Sequence, residues 1–140
     1  MGNGQSIKKV NFEDVQRVVK NYDSYLLINT FPINEQHCLI TNSILASQEE
    51  QIINHHLERR STNVKIVIYG KNSSDETILK KYHQLLKLGF SNVYVYPGGM
   101  FEWLLLQDIF GSDEFMITSK QLDLLKYKPH PMLNVALLKY

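Results

Sequence analysis

Apolar residues in this chain fall into short continuous runs, separated by longer stretches in which they recur at helical spacing. "NFEDVQRVVKNY" puts Phe12, Val15, Val18 and Val19 on one helical face, with Asn11 placed to cap it. "SYLLINTF", residues 24–31, is a buried strand ended by Pro32, and "CLITNSI", residues 38–44, is a weaker strand candidate. "SQEEQIINHHLERR" opens with Ser47 and Glu50 at capping-box spacing and turns Ile52, Ile53 and Leu57 inward. "VKIVIY", residues 64–69, is a second buried strand, and "DETILKKYHQLLKLG" a helix with Ile78, Tyr82, Leu85 and Leu86 inside, stopped at Gly89. "NVYVY", residues 92–96, is a third strand, and "GGMFEWLLLQDIFG" opens a short helix after paired glycines. Strands alternating with helices predict an α/β fold: a central, mostly parallel sheet of about five strands with helices on both faces.

The same pattern divides the chain. Residues 1–9 read as a flexible tail, 10–118 as the domain, and 119–140 as a C-terminal extension. The extension holds a predicted helix, "KQLDLLKY", and then "MLNVALL", which is too apolar to be left in water and is expected to pack back on the domain.

Composition narrows the function classes. At 140 residues the chain fits one domain with a real core. Fifteen basic against fourteen acidic residues give no electrostatic case for nucleic acid. The single cysteine, Cys38, excludes an internal disulfide and any multi-cysteine zinc site, and points to a reducing intracellular compartment. His55 and His56 are adjacent on a helix, about 100° apart, a poor geometry for chelation. No metal and no cofactor is expected.

No apolar run approaches the roughly 18 residues that span a bilayer. The first residues, "MGNGQS", do fit M-G-x-x-x-[ST], with Gly2 exposed once Met1 is removed and Ser6 in place. Gly2 is therefore a candidate N-myristoylation site. One such chain supports only weak, reversible membrane association.

"LGFSNVYVYPGGMFEW" resembles the rhodanese pattern L-G-[FY]-x-N-V-x-x-L-x-G-G-x-x-x-W, through Leu88, Gly89, Phe90, Asn92, Val93, Gly98, Gly99 and Trp103. Upstream, "YLLINTF" sits where that family carries its first buried strand and an Asp-x-Arg, but Asn29 replaces the Asp and Phe31 the Arg. His37 survives from a Gly-His-Ile-Pro-Gly-Ala segment. The resemblance covers roughly residues 10 to 110 and implies a rhodanese-like fold.

It also implies where the chemistry would sit. Active members carry a cysteine directly after the second buried strand, at the head of a six-residue loop whose amides and helix N-terminus stabilise a thiolate or a bound anion. Here that position is Gly70, followed by Lys71, Asn72, Ser73, Ser74, Asp75 and Glu76. The loop keeps its length and loses its nucleophile. Asp75 and Glu76 would satisfy the helix N-terminus and repel an anion, with Ser73, Ser74 or Asp75 bonding the loop amides instead. A cysteine restored at Gly70 is expected to stand at the loop entrance.

The expected function is thus a catalytically inactive rhodanese-like module that binds or scaffolds a protein partner, with Gly2 as its lipid anchor. The alternative is a sulfurtransferase-like enzyme with an unusual nucleophile, Cys38 or a loop serine. His37 beside Cys38 invites a Cys–His pair, but neighbours in a strand point to opposite faces. A lone Cys in "CLI" is more often a small buried hydrophobe.

Overall fold

The computed structural model describes residues 6–133. Gly2 and the end of the apolar tail lie outside them. Four parallel strands form the sheet: β1 (Tyr25–Asn29), β2 (Ser43–Ile44), β3 (Lys65–Tyr69) and β4 (Asn92–Tyr96), in the order β2-β1-β3-β4. Among the described residues four α-helices accompany them: α1 (Phe12–Lys20), α2 (Ala46–Glu58), α3 (Thr77–Lys87) and α4 (Gly99–Phe110).

The period-2 pleat of the strands divides the core in two. Leu27, Val67, Tyr69 and Tyr96 face α1 and α4, whereas Ile28, Ile66, Ile68, Val93 and Val95 face α3 and Ile53 of α2. Both faces are covered, as a parallel sheet requires.

The sheet has four strands where the pattern predicts about five. "CLITNSI" contributes only Ser43–Ile44 to it, and Ile40 instead makes a single antiparallel bridge to Ile117. The N-terminal segment lies beside β4, but Lys9 makes only one bridge, to Val95. It ends there because Asn11 is already committed to capping α1: Asn11 Oδ1 accepts from Asp14 N–H and Asp14 returns a bond to Asn11 N–H, each 3.0 Å. Such a reciprocal cap stabilises by about 1 kcal/mol.

Other boundaries differ for equally local reasons. The box expected at Ser47 and Glu50 does not form; α2 starts at Ala46, whose N–H donates to Gln36 Oε1 at 2.9 Å. "KQLDLLKY" is not an α-helix but a single 3-10 turn, Leu124–Tyr127. The stop at Gly89 is as predicted. Its φ is +109°, Gly89 N–H donates to Leu86 O, and Phe90 N–H reaches back to Leu85 O, the paired bonds of a left-handed helix end.

Candidate functional site

The carboxyl ends of β1 and β3 define the site. Strands β1 and β3 are neighbours, yet the chain leaves β1 toward β2 and leaves β3 toward β4. In open α/β sheets such a reversal opens a crevice above the strand ends, where ligands bind. The loop Gly70–Glu76 rises from β3 on one side of it, and Thr30 and Phe31 follow β1 on the other.

The loop is closed by its own side chains. Asp75 Oδ2 accepts from Lys71 N–H at 2.9 Å, and Asp75 Oδ1 accepts from Thr77 N–H at 3.1 Å and from the Thr77 hydroxyl at 2.6 Å. Asn72 Oδ1 takes Ser74 N–H at 2.9 Å. The carboxylate thus holds amide donors at the start of α3, the role an external anion has in an open loop. Ser73 and Ser74 do not cap the helix, contrary to expectation. Both are exposed, and Asp75 and Asn72 have taken the amides that the serines would need.

Gly70 has no room for a side chain. An added Cβ would lie 2.5 Å from Asp75 Oδ2, 2.8 Å from Ile78 and 2.9 Å from Thr30 Oγ1. A cysteine here would be overlapped by its neighbours rather than stand at an open entrance, which corrects the sequence-based expectation. The paired glycines account for the loop's other wall. Gly99 has φ +66°, and a Cβ on it would come 2.7 Å from Gly70 O. That approach lets Met100 N–H and Phe101 N–H, at the start of α4, donate to Gly70 O and Lys71 O, each at 2.9 Å. Trp103 is fully buried and donates from Nε1 to Met116 O.

Asn29 and Phe31 form a consistent pair of replacements. Asn29 Nδ2 donates to Ile44 O at 2.9 Å and Gln36 Oε1 at 3.1 Å, while its Oδ1 accepts from Phe31 N–H and Gln36 Nε2. This amide-to-amide ring shapes the turn after β1. Phe31 is buried, edge-on to Tyr69 and stacked on Tyr127.

Cys38 lies on the α1/α4 side, fully buried, with its thiol donating to Ser119 O at 3.2 Å. Burial pushes the thiol up from its ordinary value of 9.0, against the smaller opposing pulls of the Ser119 backbone and of Lys126, so it stays protonated near neutrality. His37 points to solvent with Nε2 3.4 Å from Lys126 Nζ, so no Cys–His pair forms. Lys71 of the loop pairs with Glu35 at 3.1 Å.

Two features carried no sequence signal. One is Tyr127, whose carbonyl accepts from Asn72 Nδ2 at 2.8 Å across 55 residues of sequence. The other is a groove of about 620 Å³ between α2 and α3, opening at Thr30 and Thr77 beside the loop. Its walls carry Glu49 and Glu50 on α2 and Lys80 and Lys81 on α3, with Ile53 and Leu85 between them. A Lys81–Glu49 ion pair spans it. Among the described residues no helix is long and apolar enough to cross a membrane.

Comparison with known proteins places this architecture. No curated protein matches the chain. Among solved structures, a yeast protein tyrosine phosphatase of the rhodanese family shares the fold with a TM-score of 0.60 at 14% identity, over 87% of this chain and 99% of its own. A single-domain sulfurtransferase of Saccharomyces cerevisiae is similar with a TM-score of 0.51 at 14% identity, over 77% and 97%. A protein from Bacillus halodurans is similar with a TM-score of 0.57 at 17% identity, over 71% and 73%. The family model for the rhodanese-like domain matches residues 11–106, spanning both walls of the crevice, and the chain belongs to the rhodanese-like domain family.

Proposed function

We propose that the protein is a catalytically inactive rhodanese-like module that works by binding a protein partner. The observation that carries this reading is the Asp75 carboxylate, which already occupies the amides of Lys71 and Thr77 in a loop without a cysteine. A persulfide needs sulfur, and Gly70 supplies none. A substrate anion would meet a resident negative charge. The groove between α2 and α3 is the binding surface in this reading. With Lys81 and Glu49 paired across it, Glu50 on one wall, Lys80 on the other and an apolar floor fit an extended peptide segment that carries charges of both signs.

The test is turnover by the purified protein with thiosulfate and cyanide, with mercaptopyruvate, and with an aryl phosphate. Rates at background support the reading. Turnover abolished by Cys38→Ser would instead establish Cys38 as the nucleophile, and turnover abolished by Ser73→Ala or Ser74→Ala a hydroxyl mechanism.

Membrane association through Gly2 is a separate part of the proposal, supported by the M-G-x-x-x-[ST] fit alone. Intact mass after expression with an N-myristoyltransferase, beside Gly2→Ala, decides it. An unmodified Gly2 removes this part and leaves the binding reading standing.

A further inference from the structure

From Thr118 to Leu133, Tyr127 is the single buried residue. Its ring stacks on Phe31 with centroids 5.8 Å apart and 25° between planes, and its carbonyl accepts from Asn72 Nδ2. Leu124 adds a half-buried contact to the α1/α4 core, and polar contacts tie the segment at Ser119 and Lys126. Ser119 accepts from the Cys38 thiol and donates to His37 O, and Lys126 approaches His37. Its outer side is apolar and wet: Leu122 is 82% and Leu125 58% exposed. Upstream, the chain is anchored by the Ile40–Ile117 bridge and by Thr118 N–H donating to Leu39 O.

A segment fixed by one buried and one half-buried side chain opens at a lower free energy than the domain unfolds. We propose that Ser119–Lys128 is a releasable latch with Tyr127 as its pin. It pivots beyond Thr118 and bares Phe31, the Asn72 amide and the Cys38 thiol while the sheet and its helices remain folded. Closed, the latch seals the α1/α4 side of the loop. Open, it offers a partner an apolar wall and a thiol, and the exposed leucines supply the handle by which a partner would draw it away. Phe31 also lines the mouth of the groove between α2 and α3, but the latch rests on the contacts of Tyr127 and Cys38 and stands whether or not that groove binds a peptide.

The test is iodoacetamide labelling of Cys38 in the full chain, at urea concentrations below the unfolding transition, with amide hydrogen exchange of β3 followed in the same samples. A latch gives labelling that is faster than β3 exchange predicts and nearly independent of urea, because its opening exposes little surface. In Tyr127→Ala, labelling should accelerate by on the order of a hundredfold. Labelling that tracks β3 exchange at every urea concentration would overturn the proposal, since Cys38 would then be reached only by global unfolding. So would an unchanged labelling rate in Tyr127→Ala. The wild-type measurement decides alone should that variant fail to fold.

Discussion

Asp75 stands where a side chain on Gly70 would have to go, with its Oδ2 2.5 Å from the position of the missing Cβ. Gly70→Cys is therefore expected to destabilise the domain by roughly 1–3 kcal/mol, the usual cost of overpacking. It should not confer sulfur transfer. Urea denaturation of Gly70→Cys and of Gly70→Cys/Asp75→Ala checks this. With Asp75→Ala measured alongside, the double variant should lose less than the sum of the two single losses, with some crowding left because Ile78 and Thr30 also press on the site. Strictly additive effects would show that the two residues do not compete for one space.

Asp75→Ala removes the acceptor of two backbone N–H groups and the Thr77 hydroxyl. A loss of about 1–3 kcal/mol is expected from the orphaned donors. The emptied loop should then recover part of that stability from added sulfate, through its amides and the start of α3. Thermal unfolding against sulfate concentration, at ionic strength matched with chloride, reads this out. Equal sulfate responses in wild type and variant would count against the carboxylate as the loop's resident anion.

Asn29→Asp restores the residue that rhodanese resemblance leads one to expect, yet it should harm this protein. The Nδ2 that donates to Ile44 O and Gln36 Oε1 would become an oxygen facing two acceptors at a buried site. About 1–3 kcal/mol is the expected cost in equilibrium unfolding at neutral pH. Stability equal to wild type would mean that Gln36 and the turn rearrange freely.

His56 provides a pH signature. Burial, followed by the positive charges of His55 and Arg59, lowers its pKa from 6.5. The folded state then releases this proton more readily than the unfolded chain. Its contribution to stability is complete above pH 6.5 and is lost as the pH falls through the lowered folded value. His56→Gln should flatten this acid-side decline, and NMR titration should place the wild-type midpoint below 6.5. A midpoint at or above that value would contradict the assignment.

Legibility followed the range of the interaction. The helix stop at Gly89, the cap at Asn11 and the buried runs of β1, β3 and β4 rest on contacts a few residues apart, and all were readable from the chain. Asp75 was readable as a competitor for the loop amides because Lys71 and Thr77 lie within four residues of it. Gln36 displaced the expected cap of α2 from ten residues upstream, and nothing in "FPINEQH" marks it. Tyr127 is hidden for the same reason. Its "LLKY" context reads as helix, and only the distant Phe31 and Asn72 turn it into an anchor. The absent strand follows from Asn11, since one residue cannot both extend a strand and cap the next helix.

The bridge at Lys9 has a consequence for how copies of this protein meet. A long bare strand at a sheet margin is a template for edge-to-edge association and aggregation. Here the β4 margin is occupied by Lys8 and Val10, which exchange bonds of 2.9 and 2.8 Å with Val95, and Lys8 lies over the Tyr94 ring. At the opposite margin, β2 is two residues long. Among the described residues neither margin offers a run of free backbone on which a second molecule can add strands. Removing residues 1–10 should therefore increase self-association through β4, read as a shift to larger species in sedimentation against the full chain.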